Sequence, residues 1–210
     1  MALFKLSLLP SVLFCIYIYL YDKDKEPFYM ALLCIIYGIV SFVPISLTAN
    51  TLNIKIENDF LRVLYEAFIT AALPEELIKL VILCCLIYNC KNFDTPFDGI
   101  FYSVFLCMGF AAAENIGYVF HPILGGFKTA VLRSIFSVPC HGIFAVIMGR
   151  FLSENRFKGA GLFPAFLVPF ILHGVYDVLL LYPLPHNKII FLLYFAFLVI
   201  LCLTTKHKLR

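Results

Sequence analysis

The sequence predicts an all-α fold, a polytopic transmembrane helix bundle of about seven spans, six to eight at the limits. Three observations predict it. The chain of 210 residues is 62% hydrophobic and only 14% charged, where a soluble domain is roughly 45–50% apolar. Its mean hydropathy is +0.95. The apolar residues also fall in runs of the length a helix needs to cross a bilayer, about 20 residues. Lipid offers no partner to an unpaired backbone group, so such runs fold as helices.

The spans are, in order, Leu3–Tyr21, Phe28–Leu47, Phe60–Tyr88, Asp98–Phe120, Thr129–Leu152, Leu162–Tyr182 and Ile189–Thr205. Short polar connections separate them: Asp22–Pro27, Thr48–Asp59, Asn89–Phe97, His121–Lys128, Ser153–Gly161 and Pro183–Lys188. The first span has no small-residue cleavage site and reads as a retained helix rather than a signal peptide. The third is longer than the hydrocarbon core requires and carries Pro74, which predicts a kink or a break there. No linker or charge block divides the chain, so residues 1–210 form one membrane domain.

The net charge of +3 is scattered, which excludes a nucleic-acid surface. There is no CxxC, and most of the eight cysteines sit inside apolar runs, as small buried hydrophobes do. With seven spans, Lys23, Lys25, Lys91, Arg150, Arg156, Lys158, Lys206, Lys208 and Arg210 share one side. Lys5, Lys55, Arg62, Lys128 and Lys188 share the other. The larger basic set marks the cytoplasm, which puts the C-terminus inside a cell membrane and the N-terminus outside.

Ionisable residues in lipid are costly and usually mark function. The third span carries Glu75, Glu76 and Lys79; Glu75 and Lys79 are four apart and share a helix face, with Glu76 about 100° away. The fourth carries Glu114, Asn115 and Tyr118 after a run of small residues, which suits the bundle centre. The fifth carries Arg133, Ser137 and His141 at four-residue steps. The sixth carries His173 and Asp177, a spacing that suits two ligands of one metal or a His oriented by a carboxylate. Counted at about 1.5 Å per residue, Glu75, His141 and His173 lie at similar depth. Four carboxylates face two cations, an excess of negative charge that a shared proton, a charged His or a divalent metal could resolve.

Taken together these motifs resemble the PrsW family of intramembrane proteases. The matching segments are Tyr21–Pro27, Glu75–Lys79, Phe93–Ile100, Gly109–Tyr118, Cys140–Gly142, Met148–Gly149 and His173–Asp177. That family is similar to the CAAX-prenyl-protease and bacteriocin-immunity superfamily, whose motif is EExxxR, a His, and a later HxxxN or HxxxD. Here Lys79 stands one position closer to the Glu pair, which leaves open whether Glu75 or Glu76 is the base. The resemblance implies catalysis by both Glu residues and the later His residues. It also implies, as substrate, a single-span anti-sigma factor that receives its first cut in a stress-activated cascade.

The expected chemistry is peptide hydrolysis. Glu75 or Glu76 with His141 activates a water, His173 donates to the oxyanion, and Asp177 orients His173. Lys79, Glu114, Asn115, Tyr118 and Arg133 support them. No cofactor is required by the sequence, which has no HExxH, and the metal-free version is preferred. In the variant with zinc, His141, His173 and Asp177 are the candidate ligands. Two alternatives from other classes are a proton- or ion-coupled transporter and a non-catalytic peptide-binding membrane protein. The expected partners are the membrane-anchored substrate and the bilayer, with no nucleic acid and no signal for an oligomeric state.

Overall fold

A computed structural model describes residues 1–183 and 185–207. Leu184, in the expected sixth connection, and Lys208 and Arg210, in the basic set used for orientation, lie outside the described residues. All seven expected spans are helical. We label them α1 (Ala2–Tyr21), α2 (Phe28–Thr51), α3 (59–87), α4 (Asp98–Val119), α5 (Phe127–Lys158), α6 (Phe163–Leu181) and α7 (Asn187–His207). Six are long and apolar enough to cross a membrane; α3 is long enough but carries Arg62, Glu66, Glu75, Glu76 and Lys79. Helix α2 runs past its apolar stretch to Thr51, and α5 runs from Phe127 to Lys158, because polar residues at a helix end can still continue the backbone ladder.

Of the kink or break expected at Pro74, the break does not occur. Helix α3 passes through it without interruption, and the reason lies just upstream. An α-helical start, Asp59–Tyr65, opens into a π-helical stretch, Glu66–Ala72, before the helix tightens again over Leu73–Ile82. Proline has no N–H and its ring collides with the carbonyl four residues back. A wider turn before it relieves both problems, and Pro74 falls in the first turn of the renewed α-helix, where a missing N–H is harmless. Helix α5 repeats the device: a π-helical Arg133–Ser137 precedes Pro139. Single π-turns within helices occur often at functional sites, and here one such stretch precedes Glu75 and another His141.

Helix α4 is the axis of the bundle, with most of its length buried among α1, α2 and α5. Small residues allow this. A Cβ at Gly109 would overlap the carbonyl of Ile35, and one at Gly38 the carbonyl of Leu106, so α2 and α4 touch backbone to backbone. Phe101, Phe105 and Phe110 fill the space on either side. At one end of the bundle Tyr29 bonds Asn92 (3.3 Å) and Tyr88 bonds Asn155 (2.6 Å), which gathers the connections after α1, α3 and α5. At the opposite end Tyr65 bonds the Leu52 carbonyl (2.8 Å), and the Phe60 and Tyr182 rings meet edge to face. Cys15, Cys34, Cys84, Cys85, Cys90, Cys107 and Cys140 are not in disulfides.

Candidate active site

Glu75, Glu76, His141 and His173 each offer one ligand atom within 4.8 Å of the others, and all four residues are buried. They come from α3, α5 and α6, at the level that helical rise predicts from the sequence.

The two glutamates differ in how they are held. Glu76 Oε1 accepts from Lys79 Nζ at 2.7 Å and lies 2.8 Å from His173 Nδ1. Glu75 Oε2 lies 3.7 Å from Lys79 Nζ, 3.9 Å from His141 Nδ1 and 4.0 Å from His173 Nδ1. It is buried and has no hydrogen-bond partner, and the same is true of His141 Nδ1. The spacing of four between Glu75 and Lys79 therefore does not give the closest pair; the spacing of three, Glu76 to Lys79, does, because both separations lie on one helix face. Lys79 also rests against the Phe110 ring, 4.9 Å from its centre, and 3.9 Å from Cys107 Sγ.

Each histidine is gripped from behind by a carboxylate. His141 Nε2 is 3.0 Å from Glu114 Oε2, and His173 Nε2 is 3.4 Å from Asp177 Oδ2. With Nε2–H pointing at Glu114, the Nδ1 lone pair of His141 faces Glu75, whereas His173 Nδ1–H donates to Glu76 Oε1. Glu114 is fixed in turn by Arg133 Nη2 at 2.6 Å, and Arg133 Nε donates to Asn115 Oδ1 at 2.9 Å. The Arg133 guanidinium lies over the Tyr118 ring, 4.1 Å from its centre, so Asn115 and Tyr118 meet at Arg133. Asn115 Nδ2 donates to the Ser7 carbonyl of α1 (2.8 Å). Ser137, expected on the same inward row, bonds the Tyr176 hydroxyl at 3.1 Å instead, away from the glutamates.

Every site residue expected from the sequence thus belongs to one connected group. Asp177, a candidate metal ligand, stands behind His173 rather than among the four converging atoms. Three contributors were not expected. Phe144 stacks on His173 at 5.0 Å, Phe110 meets His141 edge-on at 5.7 Å, and Cys107 Sγ donates to the His141 carbonyl at 3.2 Å. Apolar rings on an apolar helix carry no sequence signal of this kind.

The four converging residues fit a divalent cation. Two buried atoms able to bind one, Glu75 Oε2 and His141 Nδ1, lack any hydrogen bond. Both histidines carry the carboxylate partner that metal-bound imidazoles usually have. Four carboxylates, Glu75, Glu76, Glu114 and Asp177, face two cations, Lys79 and Arg133.

A cleft of ≈ 540 Å³ reaches this group. Its floor includes Glu75 and Glu114, its walls include Phe42 and Ala49 of α2, Thr70 and Ala71 of α3 and Gly117 of α4, and its mouth lies at Asn50, His121 and Leu124.

Residues 26–203 match the model of a family described as PrsW family intramembrane metalloprotease. The chain is 36% identical over 175 residues to "Protease PrsW" of Oceanobacillus iheyensis, covering 81% of this chain and 79% of that protein. It is 37% identical over 177 residues to "Protease PrsW" of Geobacillus kaustophilus, covering 82% and 76%. It is 33% identical over 185 residues to "Protease PrsW" of Bacillus subtilis, covering 85% and 83%. No solved structure matches the chain. A buried Glu–Glu–His–His group inside a polytopic helix bundle, and a match over most of the sequence, place this chain in the PrsW family of intramembrane proteases.

Proposed function

We propose that this protein is a metal-dependent endopeptidase that makes the first cut in a single-span, membrane-anchored anti-sigma factor, and that Glu75 is its general base. The observation that carries the chemistry is the pair of unbonded atoms, Glu75 Oε2 and His141 Nδ1, 3.9 Å apart, with Glu75 on the floor of a cleft. A buried carboxylate oxygen with no donor has its lone pairs free to take a proton from water. Glu76 lacks that freedom, because Lys79 and His173 already occupy its Oε1. This reading settles on Glu75 where the sequence left two candidates.

Glu76, His141 and His173 would hold a divalent ion beside Glu75, with zinc the favoured candidate for such a donor set, and the ion would supply Lewis acidity to the attacking water and the scissile carbonyl. The family's description as a metalloprotease supports this over the metal-free version. So does the orientation of His173: its Nδ1 is turned to Glu76, which leaves it poorly placed as an oxyanion donor. With the ion bound, Glu114 and Asp177 would hold the two imidazoles in the Nε2–H tautomer. Arg133 keeps Glu114 in place for that task, and Phe110 and Phe144 keep bulk water from the ring faces.

The anti-sigma factor as substrate rests on the family resemblance. The orientation rests on the basic residues at the end of the bundle where α1, α3 and α5 finish: Lys23, Lys25, Lys91, Arg156 and Lys158. Placed in the cytoplasm, they put the C-terminus inside and the mouth of the cleft outside. An outward-facing mouth suits a first cut made on the extracytoplasmic side.

The test is cleavage of a single-span reporter by purified protein in detergent, with bound metal measured in the same sample. Stripping with a chelator is expected to abolish cleavage, and adding zinc back to restore it. Full cleavage at negligible metal content would overturn the metal assignment and leave the carboxylate chemistry standing.

A further inference from the structure

The cleft has one wall that packing does not explain. Gly117 lies in the last turn of α4 and is exposed. A Cβ built there would meet only the edge of the Phe42 ring, at 3.5 Å, an ordinary contact. This separates Gly117 from Gly38 and Gly109 on the same interface, where a Cβ would overlap backbone. Glycine is a poor helix former, and neither a positive φ nor a close backbone approach requires it at position 117. What the missing side chain provides is space. Ala49 and Ala71 line the same cleft and are also small.

The polar groups in the cleft point to what fills that space. Ser46, Asn50 and Thr70 line its course, and at its floor Glu75 Oε2 is buried without a hydrogen-bond partner. A substrate helix must unwind before a protease can reach its peptide bonds. Its freed N–H and C=O groups then need partners, because lipid supplies none. A passage with hydroxyl and amide side chains, small enough at Gly117 for a chain to pass and ending at the free carboxylate, meets those needs.

We propose that this cleft seats the scissile segment of the substrate in extended form, and that the absence of a side chain at Gly117 determines how large a residue can stand beside the cut. The proposal rests on the proteolytic reading. It adds the route of the chain and a residue that sets specificity through space alone.

Two arms test it. In the first, Gly117→Ala and Gly117→Leu are compared with wild type on single-span reporters carrying Ala or Phe next to the cut. Gly117→Ala is expected to raise the thermal midpoint and keep cleavage of the Ala reporter. Gly117→Leu is expected to fold with an unchanged midpoint and to lose cleavage of the Phe reporter by roughly tenfold or more, with a smaller loss on the Ala reporter. Ala112→Leu, which fills the apolar groove among α1, α2 and α4 instead, is expected to leave both reporters unaffected. In the second arm, a photoreactive residue at position 49 is expected to cross-link to the reporter, and one at position 112 is not. Normal cleavage of both reporters by folded Gly117→Leu, with no cross-link from position 49, would overturn the proposal and leave the protease intact. A cross-link from position 49 in a wild-type protein that never cleaves would instead keep the cleft as the binding route and overturn the proteolytic reading.

Discussion

Two clusters of acidic residues lie at different depths in this bundle, and they use their oxygens in opposite ways. Near the end where α1 and α3 finish, Glu26, Asp94 and Asp98 bring carboxylate oxygens within 4.8 Å of one another. Asp98 Oδ2 accepts from the backbone N–H of Asp94 (2.8 Å) and of Thr95 (2.6 Å), and Asp98 Oδ1 accepts from the Thr95 hydroxyl (2.6 Å). Glu26 accepts from the Tyr102 hydroxyl. The result is a knot that fastens the α1–α2 connection to the start of α4. In the second cluster Glu75 and Glu76 lie beside two histidines and a lysine, and Glu75 Oε2 and His141 Nδ1 have no hydrogen bond. Acidic residues packed together do not by themselves make a reactive centre. A carboxylate that holds the fold spends its lone pairs on N–H and O–H donors, whereas one that does chemistry keeps a lone pair free.

The largest effect that would sharpen this contrast concerns Glu76, the glutamate of the inner pair that is spent. Glu76→Gln removes the nearer partner of fully buried Lys79. Losing one member of a buried ion pair typically costs about 3–5 kcal/mol, so this variant is expected to show a large fall in stability in chemical or thermal denaturation. Stability close to wild type would show that Glu75 alone can neutralise Lys79. A smaller effect is expected from the carboxylates behind the histidines. Glu114→Gln and Asp177→Asn leave the converging atoms in place but loosen the imidazoles, and zinc affinity is expected to fall by about 10–100-fold in each. Unchanged affinity in both would remove the two carboxylates from the account.

The smallest effect belongs to the outer cluster. Burial, with Asp98, Asp22 and Asp94 nearby, pushes the Glu26 carboxyl from an ordinary 4.5 up to about 7, against the opposing pull of the Tyr102 hydrogen bond. A carboxyl whose pKa is raised on folding binds more protons in the native state, so its contribution favours folding at low pH and is lost as pH rises from 4.5 to about 7. Glu26→Gln is expected to flatten the pH dependence of the thermal midpoint in that window and to leave reporter cleavage unchanged. A loss of cleavage in this variant would break the division between the two clusters.

The sequence conveyed the spans and the depth of the site well. Apolar runs fix where helices cross, and a rise of 1.5 Å per residue puts Glu75, His141 and His173 level with one another. What it concealed arises from contacts distant in sequence. The π-helical turns before Pro74 and Pro139 have no residue signature of their own, so a kink or a break was expected at Pro74, where the helix continues. Helical spacing placed Glu75 with Lys79, but His173, arriving from α6, and Lys79 both close on Glu76. The pairing of Glu26 with Tyr102, 76 residues away, has no local pattern that could reveal it.

Glu75, the unbonded carboxylate, is the proposed activator of the water, in preference to its neighbour Glu76. The direct measurement is the single-turnover rate of reporter cleavage by Glu75→Gln, at a zinc content and thermal midpoint matched to wild type. The expected rate is lower by about 10²–10⁴-fold. Cleavage at the wild-type rate by this folded, zinc-loaded variant would contradict it.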